Sequence, residues 1–321
     1  MSSPHGDLRL LSGTANPELG ARIAAEINIP LTEMEVKRFS DGEIDVKIGD
    51  SVRGQDVFVI QPTCRPVNEN LIELFIILDA LRRASAARVN AVVPYYGYAR
   101  KEKKTQARDP ISAKLMANII QATGASRVVT VDLHAEAIQG FFDIPVDALT
   151  ASKILARHVR ERHHDGSLVV VSPDVGGTAR ARALARLLNA PIAIVDKRRP
   201  TDDDVEVLNV IGDVVGKSCV LVDDLISTGG TLIGAARALR DKGATGVDVV
   251  VTHGVLSGGA LERLNQAPID EIAITDTVPL REGEGDIGGG CCKLRVLSVA
   301  PLIAEAIVRV HEGRSVSELF R

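Results

Sequence analysis

Short apolar runs alternate with helical patterns along nearly the whole chain of 321 residues. The runs are rich in valine and isoleucine and carry little charge, which is typical of strands buried on both faces of a parallel sheet. The predicted strands are Val57–Ile60, Val89–Val93, Val128–Val131, Val169–Val171, Ile192–Val195, Cys219–Val222, Val247–Val251 and Ile272–Ile274. The predicted helices are Asn70–Ala84, Ile111–Ala122, Ser152–Arg162, Ala179–Leu188, Leu232–Lys242, Gly259–Asn265 and Pro301–His311. This order favours an α/β fold with helices on both faces of mostly parallel sheets.

The two halves of the chain share a pattern, although they do not share identities. A strand at Val57–Ile60, a loop, a helix and a strand at Val89–Val93 match the succession that begins at Cys219–Val222. The repeat predicts two tandem similar domains, residues 1–149 and 150–321, each with a mostly parallel sheet flanked by helices. The last predicted helix can pack back onto the first domain.

Composition excludes several classes of function. The chain has 38 basic and 42 acidic side chains and a net charge of −4, so charge gives it no general affinity for nucleic acid. The apolar runs are too short to span a bilayer, and residues 1–7 do not resemble a signal peptide. The four cysteines show no C-x-x-C spacing and no zinc pattern. We therefore expect a cytoplasmic enzyme without membrane or nucleic-acid partners.

The most specific motif follows the predicted strand Cys219–Val222. Two adjacent acids, Asp223 and Asp224, come at the predicted end of that strand. The small residues Ser227, Thr228, Gly229, Gly230 and Thr231 then lead into a helix. A glycine-rich turn at a helix start directs backbone N–H groups and the positive helix end toward one point, which suits a phosphate. The carboxylates suit the vicinal hydroxyls of a sugar phosphate, or its bound metal. The plainer interpretation is a strand–turn–helix corner whose acids cap the helix.

Other polar segments follow predicted strands or join them. Asp132 and His134 follow the strand that ends at Val131, where ligands of such sheets bind and where the pair can hold a divalent ion. A structural histidine is the alternative. The remaining candidates have ordinary interpretations as surface turns or solvated loops: they are Phe39-Ser-Asp41-Gly42-Glu43, the basic segment Arg100–Arg108, Ser172-Pro-Asp174-Val-Gly-Gly-Thr178, and Lys197-Arg-Arg199.

Several of these motifs resemble those of known families. The segment from Asp223 to Thr231 resembles the binding motif of the phosphoribosyltransferase superfamily. Asp132-Leu-His134, followed by Gln-Gly-Phe-Phe-Asp-Ile-Pro-Val-Asp147, closely resembles the signature of the ribose-phosphate pyrophosphokinases. The resemblance runs over nearly the whole chain. It implies tandem phosphoribosyltransferase-like domains, Mg²⁺ as cofactor, and transfer of the pyrophosphoryl group of ATP to the 1-hydroxyl of ribose 5-phosphate.

The resemblance also implies a role for each motif. Asp223 and Asp224 would bind the ribose hydroxyls and Ser227 to Thr231 the 5-phosphate, while His134 and Asp174 would be metal-associated. Lys197 would be catalytic, and Arg199 would act with it and bind ribose 5-phosphate. ATP would be bound by the adenine loop of a neighbouring subunit and by a basic loop: these residues are Phe39, Asp41, Gly42, Glu43, Arg100 and Lys101. A shared ATP site implies self-association, expected as a homohexamer.

Three residues depart from the family pattern. Lys101 stands where most members have glutamine, Ser227 where they have aspartate, and Ala137 where they have glutamine or serine. Two other functions remain open from the sequence alone. One is a phosphoribosyltransferase that consumes the pyrophosphate, since it needs the same acid pair and phosphate turn. The other is a non-catalytic regulatory paralogue.

Overall fold

The computed structural model describes residues 6–163, 166–198, 207–281 and 292–320. The chain forms two compact units. Unit 1 comprises Met1–Thr150, Thr277–Pro279 and Ser298–Arg321, and unit 2 comprises Ala151–Asp276 and Leu280–Leu297. The first change of unit follows Thr150. The C-terminal segment from Ser298 onward, although it follows unit 2 in sequence, clusters with unit 1.

Unit 1 contains a parallel sheet and a separate hairpin. Its elements up to the first change of unit are β1 (Leu8–Ser12), α1 (Pro17–Ile27), β2 (Met34–Arg38), β3 (Ile44–Ile48), β4 (Asp56–Ile60), α2 (Val67–Arg83), β5 (Arg88–Val93), α3 (Ser112–Ala122), β6 (Arg127–Val131), a 3₁₀ helix (Glu136–Phe141) and β7 (Val146–Leu149). The five-stranded sheet has the order β1-β4-β5-β6-β7 with parallel pairing throughout. Strands β2 and β3 pair only with each other, antiparallel.

Unit 2 contains a larger sheet. Its elements are α4 (Ser152–Arg162), β8 (Leu168–Ser172), α5 (Thr178–Leu188), β9 (Ile192–Arg198), β10 (Val207–Ile211), β11 (Ser218–Ile226), α6 (Gly230–Asp241), β12 (Gly246–Gly254), α7 (Ala260–Asn265), β13 (Glu271–Thr275) and β14 (Lys293–Leu297). The order is β10-β9-β8-β11-β12-β13-β14, and every pair is parallel except β10 with β9. The chain ends in unit 1 with α8 (Ala300–His311) and a second 3₁₀ helix (Ser317–Phe320).

The predicted tandem α/β fold is confirmed by the strand orders. Strands β8, β11, β12, β13 and β14 follow one another across the second sheet as β1, β4, β5, β6 and β7 do across the first. In unit 2, Leu221 of β11 packs with the α6 side chains, whereas Val220 and Val222 pack on the other face with α4 and α5. Helices thus cover both faces of the sheet, as the uncharged strands predicted.

Helix α8 is joined to the sheet of unit 1 by a buried polar cluster. The carboxylate of Asp56, at the start of β4, binds the guanidinium of Arg88 through both oxygens. It also accepts a hydrogen bond from the Asn90 amide at 2.9 Å and lies 2.8 Å from Nδ1 of His311, at the end of α8. Within the described parts of the chain, no helix is both long and apolar enough to cross a membrane.

Candidate active site

The strand order of unit 2 creates a crevice between β8 and β11. From β8 the chain passes through α5 to β9 on one side, whereas from β11 it passes through α6 to β12 on the other. Ligands of open parallel sheets bind beyond the carboxyl ends of the strands at such a switch point. The main sheet of unit 1 has no such reversal, because its strands follow in one direction. The topology therefore predicts a ligand site at the carboxyl ends of β8 and β11.

The acid pair lies at this switch point, inside β11. Asp223 and Asp224 were predicted to lie at the end of the strand Cys219–Val222. That boundary was wrong, because β11 continues to Ile226, paired along its length with the equally long β12. The backbone pairing that extends the strand places Asp223 opposite Val251. The Asp224 side chain is buried with 4% exposure, and that of Asp223 is 20% exposed.

An arginine bridges the two carboxylates. Nη1 of Arg180 lies 3.1 Å from Oδ1 of Asp223 and 3.2 Å from Oδ1 of Asp224. Burial, followed by hydrogen bonding and like charge from the neighbouring Asp224 carboxyl, raises the pKa of Asp223 to about 7, and Arg180 and the Asp224 backbone amide oppose the rise. Arg180 was not among the predicted site residues. Its helix α5 carries several arginines, and only the strand order distinguishes this one.

The predicted phosphate turn joins β11 to α6. Gly229 is the N-cap residue with φ of 81°, and the helix begins at Gly230. The hydroxyl of Ser227 is 3.0 Å from that of Ser257, and Arg263 donates 2.8 Å to the carbonyl of Thr228. These contacts fix the turn from the side of α7. The first turn of α6 presents backbone N–H groups that have no acceptor within the helix, which is the arrangement that binds anions.

A second rigid turn follows β8. Oδ1 of Asp174 accepts the amide of Gly177 at 2.8 Å, and the Ser172 hydroxyl donates 2.6 Å to the Asp174 carbonyl. A side chain on Gly177 would approach the Ser172 hydroxyl to 2.9 Å, so glycine is needed there. The turn leads directly into α5, which carries Arg180. Asp174, Arg180 and the acid pair therefore belong to one local arrangement at the switch point.

The two predicted cations fall at the edge of what the structure describes. Lys197 was predicted to follow its strand, but the backbone of β9 continues to Arg198 because β10 pairs with it, with Leu208 opposite Lys197. Strand β9 is parallel to β8, so Lys197 lies toward the same edge of the sheet as the acid pair. Arg199 lies outside the described residues.

The predicted adenine-binding residues lie in unit 1, in the turn of the β2–β3 hairpin. Phe39, Asp41, Gly42 and Glu43 are all exposed, and Phe39 retains 57% of its surface. Phe39 donates its amide to the Glu43 carbonyl at 2.8 Å, and the amide of Glu43 lies 3.2 Å from Oδ1 of Asp41. The hairpin thus presents an aromatic ring and two acids to solvent on a well-formed turn.

The predicted basic loop is exposed but firmly attached. Arg100 and Lys101 are exposed at its start, with Lys101 Nζ 3.4 Å from Asp109. The hydroxyl of Tyr96 donates 2.8 Å to the carbonyl of Ala113, and the Ala113 amide donates 3.2 Å to the carbonyl of Lys101. Burial raises the pKa of Tyr96, so its hydroxyl stays a donor. The two ends of the loop are therefore held together at the core of unit 1.

His134 lies beyond the carboxyl end of β6, as predicted, and its side chain is exposed. The expectation that Asp132 and His134 share a strand face was wrong, because β6 ends at Val131 and Asp132 has φ of 39°. That conformation is unfavourable for a residue other than glycine and turns the chain sharply. Among the described residues, no three His, Cys, Asp or Glu side chains converge as metal ligands.

In unit 1, the position that corresponds to the acid pair is filled by the protein itself. Gln61 follows β4 as Asp223 follows Val222, and Gln61 donates 3.0 Å to Oε1 of the fully buried Glu73. Glu73 in turn accepts the amide of Thr14 at 2.6 Å and its hydroxyl at 2.5 Å. The polar groups at the ends of β1 and β4 are thus satisfied by one another.

Comparison with known proteins agrees with this arrangement. The family model for the N-terminal domain of ribose phosphate pyrophosphokinase matches residues 8–124, and that for the phosphoribosyl synthetase-associated domain matches residues 172–321. A ribose-phosphate pyrophosphokinase of Caldanaerobacter subterraneus subsp. tengcongensis is 58% identical, over 98% of this chain and 98% of its own. One from Clostridium perfringens is 51% identical over 100% of both chains. The crystal structure of phosphoribosylpyrophosphate synthetase from Mycobacterium smegmatis has a TM-score of 0.90 at 43% identity, covering 96% of this chain and 99% of that one.

The two tandem sheets share the order of five corresponding strands, and the second has an acid pair at its switch point. These features define a phosphoribosyltransferase-type α/β protein. The full-length relatives and the two family matches then narrow the class. The chain belongs to the ribose-phosphate pyrophosphokinase family.

Proposed function

We propose that the chain transfers the pyrophosphoryl group of ATP to the 1-hydroxyl of ribose 5-phosphate, giving 5-phosphoribosyl 1-pyrophosphate and AMP for nucleotide biosynthesis. The observation that carries this proposal is the acid pair Asp223 and Asp224 beside the glycine-capped start of α6, at the switch point of unit 2. The pair provides acceptors for two sugar hydroxyls, and the helix start provides donors for a phosphate. Membership of the family supplies the reaction type.

The proposed sugar-phosphate site combines charge and backbone geometry. Asp223 and Asp224 accept hydrogen bonds from the 2- and 3-hydroxyls, and Ser227, Thr228, Gly229, Gly230 and Thr231 enclose the 5-phosphate. Ser227 contributes no negative charge beside that phosphate, and its hydroxyl is engaged with Ser257, so the backbone N–H groups carry the binding. The anomeric oxygen attacks the β-phosphorus in line with the departing AMP.

Lys197 and Arg199 are proposed to stabilise charge on the transferred group. Positioning and cations dominate the catalysis of such reactions, because the charge spreads over the equatorial and leaving oxygens. The place of Lys197 on β9, next to β8 at the same sheet edge, supports this role. Arg100 and Lys101, at the start of the basic loop, are proposed to contact the ATP phosphates with the adenine ring against Phe39, Asp41, Gly42 and Glu43.

Mg²⁺ is the proposed cofactor. Magnesium usually keeps several waters and is held by one or two protein ligands plus substrate phosphates. A site with only one or two protein ligands fits this way of binding Mg²⁺. Asp174 offers a carboxylate as such a ligand, and His134 offers an exposed imidazole. When bound, the ion would neutralise charge on the polyphosphate. Asp174 and His134 are each proposed separately as a ligand on the protein side.

Self-association is part of the proposal. An exposed hairpin turn with an aromatic ring and two acids suits a site completed across a subunit interface, and a closed homohexamer is the expected assembly. A reducing cytoplasmic setting is supported by Cys64, Cys219 and Cys292, which are free and buried.

The test is turnover with ATP and ribose 5-phosphate as the only substrates, measured as AMP release with and without Mg²⁺. Metal-dependent AMP formation with no nucleobase present is expected, whereas a phosphoribosyltransferase or a non-catalytic paralogue would release none. In the same assay, Lys197→Ala should lower kcat by roughly 10²–10³, the usual loss for one preorganised electrostatic group, with little change in ribose 5-phosphate binding. A near-normal kcat would remove Lys197 from catalysis.

A further inference from the structure

Arg180 is a cation at the acid pair, and one of its nitrogens contacts both carboxylates. The same nitrogen, Nη1, lies 3.1 Å from an oxygen of Asp223 and 3.2 Å from an oxygen of Asp224. Oδ1 of Asp223 also accepts the Asp224 amide at 2.9 Å, so this oxygen is held from two directions. The plane of the Asp223 carboxylate is therefore fixed before any sugar arrives.

Two adjacent carboxylates at a partly buried site need such a cation. Without one, like charge and loss of solvent favour a proton shared by the pair over two ionised groups. A protonated carboxyl donates one hydrogen bond and loses acceptor capacity. Two sugar hydroxyls that both donate are bound more strongly by two ionised acceptors than by a pair that shares a proton. The charge of Arg180 favours that form, because it lowers the pKa of Asp223 against burial and the charge of Asp224.

The position of Arg180 is itself locked. It occupies the first turn of α5, directly after the turn in which Asp174 accepts the amide of Gly177. The Thr178 hydroxyl donates 2.7 Å to the carbonyl of Val175 and secures the same turn. The turn after β8 thus fixes the start of α5, from which the Arg180 side chain reaches the acid pair on β11.

We propose that Arg180 is a positioning residue for ribose 5-phosphate: it holds Asp223 and Asp224 as two oriented acceptors for the vicinal sugar hydroxyls. This inference rests on the proposed assignment of the acid pair to the sugar. Arg180 acts through the carboxylates and does not contact the reacting phosphate. Its loss should therefore weaken sugar binding much more than it slows the chemical step.

The experiment compares Arg180→Gln, Arg180→Ala and Arg180→Lys with Arg182→Ala, an exposed arginine on the same helix. In the Gln and Ala variants, KM for ribose 5-phosphate should rise roughly 10-fold or more, with kcat within about threefold, as expected when a charged hydrogen-bonding group is lost. The acid limb of the pH profile of kcat/KM should also move to higher pH. Without Arg180, the charge of Asp224 raises the pKa of Asp223 with no nearby guanidinium to oppose it. Arg180→Lys should recover most of the affinity, and Arg182→Ala should behave as the unaltered protein.

Asp223→Asn, measured in parallel, separates this inference from the assignment on which it rests. If Asp223→Asn leaves KM unchanged, the acid pair does not bind the sugar and both ideas fail. If Asp223→Asn raises KM but folded Arg180→Gln keeps the original KM and pH profile, the positioning role alone is wrong. Should Arg180→Ala fail to fold, Arg180→Gln and Arg180→Lys still decide, because they differ chiefly in charge. A rise of KM in Arg180→Lys equal to that in Arg180→Gln would also overturn the proposal.

Discussion

At the scale of single residues, the candidate site depends on ionised carboxylates in a place that disfavours them. Asp223 is desolvated and adjacent to a second acid, and its charge is stabilised by Arg180 and by the backbone amide of Asp224. Groups with strongly shifted pKa values that converge on a crevice mark functional sites more often than structural ones. The energetic cost of keeping this pair ionised supports the binding role proposed for it.

The pH dependence of sugar binding should reveal this cost. Because burial and Asp224 raise the pKa of Asp223 from 3.8 to about 7, kcat/KM for ribose 5-phosphate should rise with pH toward neutrality as Asp223 becomes an acceptor. The same shift makes the folded protein bind more protons than the unfolded chain between about pH 4 and pH 7. Ionisation of Asp223 therefore removes stability as pH rises through that window.

Asp223→Asn tests both statements. Loss of one charged acceptor should weaken the binding of ribose 5-phosphate by about 1.5–3 kcal/mol. It should also flatten the acid limb of the pH profile of kcat/KM. Asp241→Asn, an exposed acid at the end of α6, is the matched control and should alter neither quantity. An unchanged KM in Asp223→Asn, together with lower thermal stability, would indicate a helix-capping role.

At the scale of elements, the sequence predicted the interior of the fold and missed its borders. Every predicted strand and helix is present, whereas the strands that were not predicted all lie at sheet edges or in the β2–β3 hairpin. Edge strands commonly contain charged residues, such as Arg9 in β1 and Asp147 in β7. These strands therefore lack the uncharged apolar run from which the central strands were predicted. Strand ends were also misjudged, because the continuation of β11 depends on its partner β12 and not on its own residues.

The candidate site shows the same division between local and long-range information. The acid pair and the phosphate turn are contiguous in sequence, so their pattern is readable without a structure. Arg180 lies on another helix and reaches the pair only because β8 and β11 are neighbours. Contacts that depend on strand order leave no local signal in the sequence, which is why Arg180 was missed.

The turn between β11 and α6 makes a further testable prediction about glycine. Gly229 has φ of 81°, and an added Cβ would lie 3.1 Å from Leu264, whereas Gly230 has open space around it. Gly229→Ala should therefore lower the free energy of unfolding by roughly 1–2 kcal/mol, the usual cost of a left-handed conformation for an L-residue. Gly230→Ala, at the first position of the helix, should be close to neutral. Equal effects of the two changes on urea denaturation would contradict this account.

At the scale of the whole molecule, the parts proposed to bind ATP and sugar lie in different units. The hairpin turn and the basic loop belong to unit 1, while the acid pair and the phosphate turn belong to unit 2. A shared site between subunits is the proposed explanation for a predicted adenine loop whose residues are all exposed in one chain.

Mixing two inactive variants tests the shared site. Asp41→Ala/Glu43→Ala should disable the adenine loop, and Lys197→Ala should disable the catalytic part of the other unit. After subunit exchange, some interfaces would combine an intact loop with an intact Lys197, so partial activity should return. Each variant incubated alone is the control. If exchange is demonstrated by mass and no activity returns, ATP must be bound within a single chain.

The return of the chain to unit 1 has a consequence for how the protein is made. Helix α8, whose His311 lies against the buried Asp56 at the start of β4, leaves the ribosome after every strand and helix of unit 2. Synthesis proceeds from the N-terminus at a few residues per second, so all of unit 2 is translated before unit 1 has its final helix. Until then Asp56, although bound to Arg88 and Asn90, lacks its contact with His311, and the apolar surface that α8 buries in unit 1 is uncovered. A chain released before α8 is made would leave the first unit, and not the second alone, unfinished.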